Sequence, residues 1–293
     1  MTRDDTIEAA LVKVAASVGQ VAPGRWTFAI TNGTATAATA RVDGEWLVFD
    51  ARPPLAPAGV PDPWAMLAWN AALDGGARFA MRAGPAGPEV RADVALAPDV
   101  DPTRRIIEAY AGLQTAAICL HDPADLAATS TPTSIAAADG AEALAALCRE
   151  TRWSVAQRDA GSLVVDLDVP GAVHQARVER RADGRVAVSV PVFDPTATRD
   201  EPASEACRHA LGVFLVRTCG SIRMIRAATD AGGSPRFELV QAAPSLVELE
   251  HGFAALSVAC RFAAREAAVL WHDDVVANAY VRRWDDGAGR RAA

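Results

Sequence analysis

Lysine is almost absent: of 29 Lys and Arg residues only Lys13 is lysine. With alanine also abundant, this marks a coding bias, so alanine carries little weight as a helix signal. Cysteine is sparse and odd in number (Cys119, Cys148, Cys207, Cys219, Cys260), and no CxxC occurs. That argues against a fully paired disulfide framework and against zinc-ribbon spacing. Each cysteine sits among Ala, Leu, Val or Phe, as a buried free thiol does, which points to a reducing cytoplasm. No apolar run approaches the ~18–20 residues that span a bilayer. The start, MTRDDTIEAALVKVAASVG, puts acids ahead of its apolar face and reads as an amphipathic helix, not a secretory leader. Basic clusters with interleaved aromatics are missing too. The nearest, VERRADGRV at 178–186, reads as a solvated hairpin around Asp183-Gly184, so neither nucleic acid nor membrane is expected as a partner.

What is present is globular. Over 293 residues, 51% are apolar and 22% charged, with a net charge of −7, enough for two ordinary domains each with its own core. The first half begins with a helix over Thr6–Val18, with Ile7, Leu11, Val14 and Val18 on one face and Asp4 or Asp5 as cap. Strands follow at Trp26–Thr31, Thr34–Val42 and Glu45–Asp50, joined by Asn32-Gly33 and Asp43-Gly44 turns. A proline-rich loop, ARPPLAPAGVPDP, leads to a helix over Pro63–Leu73, with Asp62 as cap and Gly75-Gly76 as its C-terminal cap. Strands at Ala77–Ala83 and Glu89–Leu96 and a helix from Asp101-Pro102 close the half.

After the Ser/Thr/Pro-rich stretch HDPADLAATSTPTSIAAAD the order recurs. A helix over Ala141–Arg149 precedes strands at Trp153–Gln157, Ser162–Val169, Val173–Arg180 and Arg185–Val190. A helix over Pro202–Val216, strands at Ser221–Ala228 and Arg236–Gln241 around DAGGS, and a long helix from Ser245 complete it. Trp153 follows Trp26 as the opening of a first strand, and the second half then carries one strand more. The expectation is an α+β chain of two tandem α-βββ-α-ββ-α units, with antiparallel sheets packed by helices. Residues 1–120 form unit one, 121–139 a linker, and 140–293 unit two with its long C-terminal helix, for which a bend at Gly252 is expected. In LVVDLDV, Leu163, Val165, Leu167 and Val169 alternate with Asp166 and Asp168, the mark of a half-buried strand.

No catalytic or metal constellation emerges. Asp166 and Asp168 point off one sheet face with no third acid near in sequence. The histidines His121, His174, His209, His251 and His272 show no HExxH spacing. Cys207 and His209 lie ~200° apart on a helix and cannot chelate one ion. WHDD at 271–274 is the densest polar cluster and reads as a charged helix face; a scattered active site around His272, Asp273 and Asp274 is the residual enzymatic alternative. No cofactor is expected. Gly75-Gly76 follows a helix and precedes a strand, the reverse of a phosphate-binding loop.

The element order resembles that of the type III secretion chaperones, the family that includes the Tir chaperone. LVFDARPPLAP looks like the family's third strand running into a proline-containing loop. WAMLAWNAALDGGARFAMRAGPAGPEVRADVAL is similar to its signature region, with Arg91 at the position of its strand arginine. In the second half, ALGVFLVRTCGSIRMIRA and RFELVQ look more like the YbjN-type regulators. The resemblance covers most of the chain. It implies a noncatalytic module that holds an extended client segment, with the fused repeat standing in for the family's dimer. The alternative it implies is a regulatory or scaffold protein that binds a folded partner.

Trp64 and Trp69 are five apart on the middle helix of unit one, so their indoles stand ~140° apart and one sheet cannot cover both. In the resembled family this helix lies near the dimer interface. The matching helix of unit two carries Leu211, Phe214 and Leu215. These five residues are the candidate protein-binding or interdomain residues, and the expectation is a monomer with an internal pseudo-dimer, a homodimer being the other outcome.

Overall fold

The structure is a computed structural model that describes residues 2–31, 35–55, 59–73, 75–81, 87–97, 101–121, 141–159, 162–169, 172–181, 184–193, 203–230 and 232–289. The Asn32-Gly33 turn, the first three residues of the GPAGP turn, the 122–139 stretch and Asp183 lie outside the described residues. Seven helices and twelve strands occur among those described. In chain order they are α1 (Arg3–Val14), β1 (Ala16–Ala22), β2 (Arg25–Thr31), β3 (Ala35–Asp43), β4 (Trp46–Ala51), α2 (Pro63–Asn70), β5 (Arg78–Met81), β6 (Pro88–Ala95), α3 (Pro102–His121), α4 (Ala141–Glu150), β7 (Ser154–Asp159), β8 (Ser162–Val169), β9 (Ala172–Arg180), β10 (Arg185–Pro191), α5 (Glu205–Ser221), β11 (Arg226–Thr229), β12 (Pro235–Ala242), α6 (Leu246–His272) and α7 (Asp274–Gly289).

The architecture is α+β, with two antiparallel six-stranded sheets of the same topology. Their orders are β1-β2-β3-β4-β6-β5 and β7-β8-β9-β10-β12-β11. Each is a four-stranded meander continued by a hairpin whose second strand returns to the meander's last. Alternation sets the faces: Trp26, Phe28 and Ile30 of β2, and Leu163, Val165 and Leu167 of β8, point into the core. One continuous apolar cluster includes Phe49 and Leu113 from the first unit and Phe237 and Phe253 from the second.

Several expectations are corrected. The first helix ends at Val14, and residues 16–22 form a strand the sequence reading lacks, so the extra strand of unit two disappears. Val14 and Val18 mimic a helical step. However, Ala15 is extended, Ser17 takes φ +56°, and ASVGQVA gains its hydrogen bonds from β2. Thr2, not Asp4 or Asp5, caps α1, in a capping box with Asp5. Trp153 therefore does not correspond to Trp26: it precedes β7 as Ala15 precedes β1, while Trp26 matches Leu163 as the first inward residue of the second strand. Helix α2 ends with Ala71 as its C-cap. Gly75 and Gly76, at φ +57° and +69°, instead turn the chain into β5. Helix α5 runs to Ser221, through the start expected for the following strand, which opens only at Arg226. The last helix is continuous through Gly252 and breaks at Asp273, where φ −121° and ψ 102° separate α6 from α7. Asp273 Oδ1 accepts from the Val275 and Val276 N–H groups and so starts α7.

Candidate functional site

The two units meet through reciprocal contacts. Arg78 opens β5 and Arg226 opens β11, and both are 1% exposed. Arg78 Nε donates to Cys219 O at 2.8 Å and Nη2 to Ile222 O at 3.2 Å, at the C-terminal end of α5. Arg226 Nη1 donates to Leu73 O at 2.5 Å, in the turn that ends α2. Arg91 adds a bond to Gly220 O. The last carbonyls of a helix lack intrahelical donors and carry its negative dipole end, so Arg78 caps the other unit's middle helix, whereas Arg226 holds the turn that follows α2. A carboxylate neutralises each cation: Asp93 at 2.5 Å from Arg78 and Glu238 at 2.8 Å from Arg226.

A second pair of corresponding residues sits beside them. The Asn70 Oδ1 accepts the Phe79 N–H at 2.8 Å, and its Nδ2 donates to Ala227 O of the other unit at 2.8 Å. At the corresponding place Cys219 Sγ accepts the Ala227 N–H. Further along, Arg105 of α3 forms a two-pronged pair with Glu248 of α6, at 2.7 and 2.9 Å, and donates to Ala242 O and Ala243 O. Burial pushes the Glu248 carboxyl up, but hydrogen bonds from Arg105 and the Ser245 N–H outweigh it and hold the group below its ordinary value. Glu238 behaves alike: burial raises it, and Arg226, Arg236 and Arg181 bring it below the usual range.

The sequence-predicted residues lie around this interface. Trp64 is half-buried, stacked on Trp271 of α6 with centroids 5.9 Å apart and planes 16° apart, and Arg208 lies 5.3 Å from its ring. Trp69 is half-buried and meets Phe79 edge-on at 5.7 Å. Leu211 and Leu215 are fully buried, and Phe214 packs edge-on against Tyr280 of α7. Helices α2 and α5 approach closely at Gly212, where a Cβ would lie 3.0 Å from Pro63 Cβ. Sequence reasoning missed Gly212, Asn70, Arg78, Arg105 and Arg226. A signal existed for two of them: both repeats place an arginine just after the helix-to-strand turn, in GGAR and MIR.

The polar candidates do not converge. Asp273 caps α7, and the Asp274 carboxylate accepts from Ser204 Oγ and from the Cys207 thiol. WHDD is thus a helix junction rather than one charged face. Asp166 accepts from Gln175. His209 lies 3.7 Å from Asp62, away from buried Cys207. Among the described residues no three His, Cys, Asp or Glu side chains are placed to hold a metal ion, and no helix is long and apolar enough to cross a membrane. A cleft of about 700 Å³ opens between α2, α5 and α7, lined by Asp62, Trp64, Arg208, His209 and Asn278.

The outer surfaces are less occupied. The interface closes over β5 and β11, whereas among the described residues β1 and β7 each pair on one side only. Strand β1 is exposed except at half-buried Val18 and Gly19 and carries no charged residue and no proline, with Val21 58% exposed. On α6, Val247, Val258, Phe262 and Val269 form an exposed stripe. No protein-family model, curated protein or solved structure matches the chain.

Proposed function

We propose that the chain is a noncatalytic protein-binding module of the type III secretion chaperone kind, an internal pseudo-dimer that holds an extended segment of a client in the cytoplasm. The observation that carries this reading is the open edge of β1. Natural sheets usually blunt an exposed edge with lysine, proline or an inward charge, because its free N–H and C=O groups recruit other strands. Here Ala16–Ala22 has none of these, although bulges interrupt its pairing with β2 near both ends. An added client strand would gain backbone hydrogen bonds with little demand on its sequence. The five free, buried thiols fit a reducing compartment.

The test is amide hydrogen exchange with excess reduced, carboxymethylated lysozyme as an unfolded client. Added protection over residues 16–22, lost in Gln20→Pro, is the expected result; unchanged exchange there would remove the reading. The second reading, a YbjN-like regulator that binds a folded partner, rests on the α6 stripe, where Phe262 is 65% exposed. It predicts that Phe262→Asp, and not Gln20→Pro, abolishes binding.

A further inference from the structure

Two corresponding sites at the interface are filled differently, and the strand ladders fix the correspondence. Arg78 faces Arg91 and Arg91 faces Asp50 in the first sheet; Arg226 faces Glu238 and Glu238 faces Ser189 in the second. Trp46 stands four residues before Asp50 and Arg185 four before Ser189, so these two correspond. Gly75 and Arg223 stand three residues before Arg78 and Arg226. The next residues, Gly76 and Met224, share a left-handed backbone, at φ +69° and +65°. On α3, Arg105, Ile106, Ala109 and Tyr110 repeat the buried pattern of Glu248, Leu249, Gly252 and Phe253 on α6, which matches Glu108 with His251.

At the first site the Trp46 indole lies 5.4 Å from the His251 ring and 5.7 Å from the Arg223 guanidinium. At the second the same three places hold Arg185, Glu108 and Gly75. Among the described residues no ring stands there, and a groove of about 360 Å³ is left, walled by Ile107, Ala111 and Val240. Gln241, 8% exposed, also lines it, and its Oε1 has no hydrogen-bond partner among the described residues.

We infer that this groove is an anchor pocket for an aromatic side chain, tryptophan above all, of a bound polypeptide. The inference rests on the protein-binding reading above. The occupant follows from the sister site, where the same backbone frame surrounds an indole. The walls are apolar, the Arg185 guanidinium can face a ring as Arg223 does, and an indole N–H would satisfy the buried Gln241 acceptor. Glu108 does not oppose this, because Arg104 and Arg105 hold its carboxylate at 2.9 and 2.8 Å. The volume lies at the lower end of the ~300–1,000 Å³ usual for ligand pockets, suited to one ring.

The test uses methyl-labelled full-length protein and N-acetyl-tryptophanamide, with N-acetyl-alaninamide as control. The tryptophan probe should shift the Ile107 and Ala111 methyl signals saturably and the control should not. Arg185→Trp places in the groove the indole that Trp46 supplies at the sister site, and should abolish these shifts; Ala111→Met, which narrows the groove from α3, serves if that variant does not fold. A peptide carrying one tryptophan should bind at least ~10-fold more tightly than its alanine version, the loss expected when an anchor side chain is truncated. Absence of shifts at Ile107, or shifts that persist in the folded, filled variants, would overturn the pocket. If the amide binds but the two peptides bind alike, the occupant is a free aromatic molecule and the polypeptide anchor is refuted. Neither result depends on β1, so the open-edge reading stands or falls separately.

Discussion

Arg78 and Arg226 occupy the same place in the two units, and each crosses to the other: Arg78 donates into the end of α5 and Arg226 into the turn that follows α2. Both are buried with a carboxylate partner. Truncating one cation leaves its partner charged and uncompensated, which costs ~3–5 kcal/mol. Arg78→Ala should therefore lower stability by about that amount in urea unfolding, and Arg78→Ala with Asp93→Ala together should cost less than the sum of the two. Strict additivity would show that the pair does not act as a unit.

Acid should weaken the same interface. The Glu248 carboxyl lies below its ordinary 4.5 in the folded protein. Its stabilising contribution is complete above that value and is lost as pH falls through the lower, folded pKa. Glu238 has the same sign. The urea midpoint should fall as pH drops below about 4.5, and Glu248→Gln should flatten that fall while lowering stability at pH 7 by ~1.5–3 kcal/mol, the worth of charged hydrogen bonds. An unchanged acid limb in the variant would count against Glu248 as a source.

Glycine separates two kinds of turn. At Gly75 a Cβ would sit 2.2 Å from the Glu108 carbonyl carbon, with φ +57° besides. At Gly44 φ is +64° and nothing lies within 4 Å. Gly44→Ala should cost only the left-handed backbone penalty, ~1–2 kcal/mol. Gly75→Ala should cost clearly more, because the turn before β5 and α3 must part. Equal losses in thermal or urea unfolding would contradict this close approach.

The thiols give a simpler check. All five cysteines are free and buried. Burial pushes Cys119 and Cys260 up to about 12, and Cys148 and Cys219 to about 11. At pH 8 a thiol-reactive chromophore should label none of them in the native protein within the mixing time, and all five in denaturant. Rapid labelling of the native chain would expose an error in the core.

Local chemistry determined much of this protein from the sequence. Period-two alternation set the faces of β2 and β8, Asp43-Gly44 set a hairpin, and the recurrence of helix, meander, helix, hairpin and helix set the α+β class. Trp64, Leu211 and Leu215 could be marked as apolar surplus on the middle helices. What failed locally was β1: ASVGQVA has weak strand propensity, and only pairing with β2 makes it a strand. Nor did the sequence place the break at Asp273, since the apolar stripe runs up to it and the side chain's capping bonds, not Gly252, decide where α6 stops. The interface belongs to tertiary structure altogether. Arginine in a strand reads as a solvated charge until a carboxylate and the end of another helix surround it. The residues that join the units at Arg78–Cys219, Asn70–Ala227 and Arg105–Glu248 are separated by more than a hundred positions. Such contacts leave no periodicity in the chain, because their geometry is set by how two folded units approach and not by the backbone of either.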